Sequence, residues 1–268
     1  MTTLQKTIKY LAIALAIFLT FSIIGGIISA LAIFSGLSGG DAVAESVRSY
    51  TVSSDVDCLD IKINAANFEI KQGEAFSVES NLKYLSVTEK SGMLVIREEK
   101  KFNGGTYTDA ILTLFVPENT VFEKTSITTG AGRLSIDTLA ADRLKFELGA
   151  GEVTIGTLIA TSSATIEGGA GHITVSDGAL HNLDLDMGVG QLDLTSALTG
   201  ETELDLGVGE STLNIKGKKE DYSFDIEKGV GNITVDGERV SNLKERGNGN
   251  NKIDVSGGVG SIHMNFKD

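Results

Sequence analysis

Apolar and polar residues alternate along most of the chain after residue 50, and Gly-x-Gly interrupts the alternation at regular intervals. Before one such interruption, apolar side chains stand at every second position, at Leu144, Phe146 and Leu148. After it the alternation resumes, with Val153 and Ile155. A period of two indicates strands with one buried face. Each repeat therefore predicts two short strands joined at a glycine corner.

The Gly-x-Gly motif recurs seven times between residues 130 and 260, mostly 19 or 20 residues apart. One repeat of this length cannot bury its own apolar side chains, so neighbouring repeats must stack. In-register stacking predicts an all-β fold, a parallel β-solenoid with about 20 residues per turn. A corner in every turn requires positive φ or close chain approach, and both exclude a side chain. The predicted structural corner glycines are Gly130, Gly132, Gly149, Gly151, Gly169, Gly171, Gly188, Gly190, Gly207, Gly209, Gly229, Gly231, Gly258 and Gly260.

Two further features follow from the stack. The small residue inside each glycine pair, from Ala131 to Val259, is predicted to point inward and fill the corner. Residues 65–70 resemble the repeat segment 131–136, so the region before the regular repeats is predicted to cap the stack and cover its strand edge.

The predicted organisation is a cytoplasmic N-terminus at 1–9, a transmembrane helix at 10–36, a juxtamembrane linker at 37–54, an irregular β cap with the first turns at 55–128, and regular β-solenoid repeats at 129–268.

Residues 11–34 are almost wholly apolar and contain no charged side chain. As a helix they would extend about 36 Å, enough to cross a hydrocarbon core of about 30 Å. A cleaved signal peptide is the alternative, because small-x-small sites occur at 30–32 and 42–44, but its apolar region is normally shorter. Lys6 and Lys9 precede the span and Asp41 follows it, which predicts a single-pass cell-membrane protein with a cytoplasmic N-terminus and an external C-terminal domain.

The composition of the chain limits the classes of partner that it can bind. Lys6 and Lys9 are the only charged residues before Asp41, so 21 basic and 36 acidic side chains follow, a net charge of −15. This balance argues against nucleic acid, whose binding requires clustered Lys and Arg. One cysteine, Cys58, and three scattered histidines predict no metal site and no cofactor. The glycine pairs lack the third glycine and following helix of a dinucleotide site, and no catalytic grouping is visible, so the chain is predicted not to be an enzyme.

Acidic residues also follow the repeat. In-register stacking predicts that they form a ladder of carboxylates, with a second acidic column four residues before the corner. Two interpretations remain open: a solvated anionic side that discourages aggregation, or a docking face for weakly bound Ca²⁺ or a cationic envelope partner. The predicted cation- or partner-binding residues, two positions before each corner, are Glu147, Glu167, Asp186, Asp205 and Glu227.

The membrane span, the strand at 114–117 and the Gly-Ala-Gly and Gly-Val-Gly repeats resemble the bacterial putative-adhesin family of β-strand repeats, a domain of unknown function. The resemblance covers roughly residues 55–268. It implies an exported, membrane-tethered protein of a Gram-positive bacterium and supplies no catalytic residue. The predicted function is a non-enzymatic envelope surface protein that presents its rigid acidic repeats to an unknown envelope macromolecule. The alternative is an accessory or regulatory component of envelope stress signalling that contacts a membrane protein.

Overall fold

The computed structural model describes residues 43–53, 55–99, 109–227, 229–240, 247 and 249–267. Within them, regular structure is strand except for one 3₁₀ turn at Lys219–Asp221, and the strands form one 13-stranded sheet. The predicted all-β class is therefore confirmed. The strands are β1 (Val43–Thr51), β2 (Cys58–Gly73), β3 (Ser77–Leu82), β4 (Leu85–Lys90), β5 (Met93–Glu98), β6 (Ile111–Pro117), β7 (Val121–His181), β8 (Leu183–Thr199), β9 (Glu201–Lys216), β10 (Tyr222–Glu227), β11 (Val230–Val235), β12 (Glu238–Val240) and β13 (Asn251–Lys267).

The long strand β7 passes through several repeats because the chain stays extended through its glycine corners. Alternate side chains are buried as predicted: Leu144, Phe146 and Leu148 in β7 each expose 7% or less of their surface. A single recurrent leucine in the second half of each repeat is also buried. These leucines are Leu139, Leu158, Leu180 and Leu198. The apolar positions of successive repeats thus form one continuous core.

Successive repeats pair in parallel with matched positions. Ile166 of β7 pairs with Leu185 of β8, and Leu185 pairs with Leu204 of β9. Within β7, side chains one repeat apart are also in contact, as where Arg133 Nη2 lies 2.7 Å from Glu152 Oε2. Equivalent residues of neighbouring repeats therefore lie side by side and form columns that run along the stack.

The glycine corners have the backbone that their sequence predicts. The second glycine of every pair has positive φ, which is +145° at Gly190. A Cβ built on Gly190 would overlap the carbonyl oxygen of Gly171, and one on Gly188 would overlap that of Gly169. Positive φ and close approach between repeats therefore both require glycine here.

The N-terminal end of the stack departs from the regular repeat. Residues 65–70 of β2 pair with residues 131–136 of β7, as their similarity suggests. On its other side β2 pairs in parallel with β5 and β6, which are separate strands rather than one bent repeat. Antiparallel strands β4 and β3 then cover β5 and β6, and β1 pairs with β3. This end is covered by strands of opposite direction.

The C-terminal end differs from the predicted chain-order stack. The last strand, β13, lies between β9 and the pair β10–β11. It pairs with β9 along nearly its whole length, from Lys252 to Lys267, whereas β10 and β11 are two short strands. Because β13 satisfies more of the backbone edge of β9, it takes the inner position.

No helix in the described part of the chain is long and apolar enough to cross a bilayer. The transmembrane helix predicted at 10–36 lies outside the described residues.

Candidate partner-binding face

The outward side chains before the glycine corner form the pre-corner face. Its first column contains Glu147, Glu167, Asp186 and Asp205, of which the last three are register neighbours. Lys145 Nζ lies 2.7 Å from Glu147 Oε1 and 3.5 Å from Glu167 Oε1, so Glu147 continues the same column. The structure therefore brings four of the five predicted residues together.

The fifth predicted residue, Glu227, is separated from the other four. Ser256 of the inserted strand β13 pairs with Asp205 on one side and with Glu227 on the other. The expectation that Glu227 directly follows Asp205 is wrong, because stack order and chain order differ at this end.

A second acidic column lies beside the first, two residues earlier in each strand. Asp184 pairs with Glu203, Glu203 with Asp254, and Asp254 with Asp225. The insertion of β13 thus interrupts the first column with Ser256 but extends the second with Asp254. The two columns together make the pre-corner face most acidic between β8 and β13.

Cations neutralise only the ends of this face. Lys145 lowers the pKa of Glu147 through a hydrogen bond, and Thr128 contributes a second one. At the other end Lys252 Nζ lies 2.6 Å from Asp254 Oδ2, and this contact raises the pKa of the lysine. The middle of the face contains what we call the acidic quartet. It consists of Asp184, Asp186, Glu203 and Asp205.

No Lys, Arg or His in the described residues forms an ion pair with the acidic quartet. The pKa of Asp186 is raised, first by desolvation and then by the negative charges of Asp205, Asp184 and Glu167. Desolvation and like charge both disfavour the ionised form. The quartet therefore has no cation in direct contact with it among the described residues, although the charge of Lys252 also acts on Glu203.

Two carboxylate oxygens at the end of the second column also lack partners. Oδ1 of Asp225 and Oδ1 of Asp254 are shielded from solvent and accept no hydrogen bond among the described residues. The two residues are register neighbours. Sequence periodicity places Asp225 and Asp254 in a column, but it does not reveal that each has an unpaired oxygen.

Open grooves run between the first column and the glycine corners. One has a volume of about 420 Å³ and reaches from Thr128 to Asp186, with Gly149 and Gly169 in its lining. The other, of about 370 Å³, continues from Asp186 to Ser256. Because the corners carry no side chains, an elongated partner could approach the backbone beside the carboxylates.

Outward side chains after the corner, which form the post-corner face, are arranged differently. Its column contains Thr174, Asp193, Thr212, His263 and Thr234, each beside the next. Its single carboxylate is paired, since Asp193 Oδ2 lies 2.9 Å from His172 Nε2 and accepts a hydrogen bond from Gln191. This column is mostly neutral.

The residues inside the glycine pairs do not all fill the corner. Ala131 packs against the core, but Val230 and Val259 expose 72% and 47% of their surface. Val189 and Val208 are half-buried and stack in register with Val259. The prediction of inward side chains is therefore wrong for the two outermost valines, which form an apolar edge beside the pre-corner face.

Metal chelation finds little support in these side chains. Among the described residues, no group of three His, Cys, Asp or Glu side chains is close enough to hold one ion. Carboxylates in a column are spaced by the distance between strands, about 4.8 Å, and point outward in parallel. The face can attract cations through its summed negative potential, which requires no chelating geometry.

Comparison with known proteins supports the resemblance drawn from the repeats. Residues 173–236 match the family described as the N-terminal domain of toast_rack, DUF2154. A search of curated proteins gave no match. The chain is thus similar, over part of its length, to an adhesin-like family of unknown function.

Solved structures of similar proteins come from several bacteria. A putative cell adhesion protein from Clostridium sporogenes is 17% identical, with 83% of this chain and 99% of that chain covered and a TM-score of 0.34. A putative adhesin from Bacteroides fragilis is 15% identical, with coverage of 86% and 100% and a TM-score of 0.43. A putative lipid binding protein from Parabacteroides distasonis is 15% identical, with coverage of 83% and 96% and a TM-score of 0.27.

Proposed function

We propose that this chain is a non-enzymatic surface protein of the cell envelope that binds a cationic macromolecule through its pre-corner face. The observation that carries the proposal is the acidic quartet, which has no ion-pair partner among the described residues. On the post-corner face, in contrast, Glu152 pairs with Arg133, and Asp193 contacts His172. Like charges held side by side in a sheet are destabilising, so the quartet is more easily explained by binding than by folding.

The proposed architecture is a parallel β-solenoid anchored by a transmembrane helix at residues 10–36. Parallel pairing of equivalent residues in β7, β8 and β9 supports the solenoid. Lys6 and Lys9 before the apolar span support a cytoplasmic N-terminus. External protease on intact protoplasts should remove the C-terminal domain. A C-terminus that stays fully protected would contradict this topology.

Charge indicates the chemistry of the partner. The two acidic columns present carboxylates about 4.8 Å apart along the stack, beside open grooves. A surface of one sign attracts a partner of the opposite sign and speeds their association. The proposed partner therefore carries a row of positive charges, on an envelope polymer or a protein.

Site-specific photo-crosslinking in cells tests this proposal. A photoreactive amino acid replaces Glu203 in the quartet or, as a control, the exposed Thr154 on the post-corner face. We expect a cross-linked partner from position 203 and little from position 154. Recovery of wall polymer would favour adhesion, and recovery of a membrane protein would favour the regulatory alternative. Equal cross-linking from both positions would contradict a binding role for the pre-corner face.

We also propose that Ca²⁺ binds this face weakly, as a counterion to the quartet. Millimolar Ca²⁺ should raise the melting temperature of the wild-type chain at constant ionic strength because it reduces carboxylate repulsion. The variant Glu167→Gln/Asp186→Asn/Asp205→Asn should lose this gain. An equal response in both proteins would show that Ca²⁺ acts elsewhere.

A further inference from the structure

The last strand of the chain occupies a slot between two layers that precede it in sequence. On one side β13 pairs with β9, and on the other it pairs with β10 and β11. Its backbone is anchored at both ends, where Lys252 donates a hydrogen bond to the Gly200 carbonyl and Gly217 donates one to the Lys267 carbonyl. The strand β13 therefore provides the pairing partner for both layers that border the slot.

Side chains of β13 also bridge the two layers. The Phe266 ring centroid lies 5.4 Å from those of both Tyr222 and Phe224. His263 pairs in register with Thr212 on the β9 side and Thr234 on the β11 side. The main contacts of β13 are thus with β9, β10 and β11, and the rest of the chain contributes little to holding it in place.

The three layers carry the same corner motif in the same register. Val208, Val259 and Val230 stack in that order, each between two glycines. Any strand with this pattern therefore matches the slot, and β13 of another molecule matches it identically. Without β13, the edge of β9 would be unpaired, and β10 and β11, which pair with the rest of the described sheet through β13, would lose their partner strand as well. Unpaired edges of this kind readily accept a strand from another chain.

We propose that this slot also accepts β13 from a second copy of the chain, which gives a strand-exchanged dimer. Every contact of β13 with the slot is reproduced in the exchanged form, so the two forms differ only in the connection and in the entropy of association. Ten residues separate β12 from β13, and ten extended residues reach up to about 35 Å. A connection of this length allows β13 to move away from β12 while the chain stays continuous. This inference is independent of the acidic face.

Disulfide formation between two variants tests the exchange. Cys58 is the only cysteine and is first replaced by serine. One full-length chain then carries Thr212→Cys and a second carries His263→Cys. Neighbouring positions in a parallel pair are within the distance that a disulfide requires. After the mixture is warmed to open the terminal layers and then cooled under oxidising conditions, we expect a covalent dimer.

Two controls make the outcome decisive. Thr174 lies in the same post-corner column as Thr212 but three layers from His263, so a mixture of Thr174→Cys and His263→Cys chains should give several-fold less dimer. A single chain carrying both Thr212→Cys and His263→Cys should form the disulfide internally, which verifies the fold of the variants. If that internal disulfide forms but the mixed chains yield no more dimer than the Thr174 control, the proposal is wrong.

A second measurement does not depend on engineered cysteines. Wild-type chains with two different affinity tags are mixed, warmed and cooled, and one tag is then captured. We expect the second tag to be captured together with the first. In the control, both chains carry Thr212→Cys and His263→Cys, and the internal disulfide between these positions holds β13 in its own molecule. We expect no co-capture of the second tag from this locked mixture. Equal co-capture of the locked chains would overturn the exchange, because the association would then not involve β13.

Discussion

The two faces that meet at the glycine corner share one backbone arrangement but differ in how their charges are balanced. On both faces, equivalent residues of successive repeats lie side by side in parallel register. After the corner, the carboxylate of Asp193 contacts His172, and that of Glu152 contacts Arg133. Before it, Asp186 lies beside Asp205 with no cation of the described residues in contact. The repeat itself therefore does not dictate an acidic ladder.

This difference separates the requirements of folding from those of binding. The buried alternation and the glycine corners serve both faces equally, and they account for the stacked sheet. The unpaired carboxylates add electrostatic repulsion of up to about 1 kcal/mol per neighbouring pair in water, less with salt. A feature that lowers stability without shaping the fold is a candidate for function.

The largest expected effect comes from the corner on which both faces depend. Gly190→Val places a side chain at φ +145° and against the Gly171 carbonyl oxygen. We expect a loss of about 3 kcal/mol in the free energy of unfolding, measured by chemical denaturation. The matched change Val189→Ala, at the half-buried position between the glycines, should cost much less. Similar losses in both variants would show that the corner tolerates side chains.

Removing carboxylate charge should affect stability differently on the two faces. The quartet variant Asp184→Asn/Asp186→Asn/Glu203→Gln/Asp205→Asn removes repulsion, and we expect it to gain about 1 kcal/mol at pH 7 and low salt. Asp193→Asn instead removes the negative charge that strengthens the hydrogen bonds with His172 and Gln191, so it should gain nothing or lose stability. Denaturation curves at low and high salt measure both. A quartet variant less stable than wild type would show that its carboxylates support the fold.

A smaller effect concerns pH. The folded pKa of Asp186 is raised above its ordinary value of 3.8, so its destabilising charge is fully present above the folded pKa and is relieved as pH falls through it. Asp186→Asn should therefore raise the melting temperature at pH 7, and the gain should disappear below about pH 4. Glu147 is the control in the same column. Its pKa is lowered by Lys145, so Glu147→Gln should lower stability at pH 7, and this loss should fade only at more acidic pH.

Much of the fold could be predicted because each repeat has the same local pattern of alternating buried residues and the same glycine corner. Alternation at Leu183, Leu185 and Met187 places these residues in the core, and all three are buried. The corner glycines likewise have a backbone that only glycine adopts readily. Local patterns of this kind need no knowledge of distant contacts.

Layer order could not be predicted in the same way. The corner motifs at 207–209, 229–231 and 258–260 match one another, so any of these layers could lie on any other. The choice depends on how completely β13 covers β9, which is a property of the assembled sheet. The long interval between Gly229 and Gly258 is the one indication of the changed layer order in the sequence, because a strand that returns past an earlier layer needs a longer connection. For the same reason, the sequence alone predicts Glu227 one layer too close to Asp205.

Binding of the full-length chain, held in detergent so that the proposed transmembrane helix does not insert into a bilayer, to isolated cell walls tests the central claim most directly. Wild type, the quartet variant and Asp193→Asn are compared at low and high salt, with folding verified for each by its denaturation curve. The account predicts that the quartet variant loses most of its binding while remaining at least as stable as wild type, that Asp193→Asn binds normally, and that salt weakens wild-type binding. Undiminished, salt-independent binding by a folded quartet variant would contradict it.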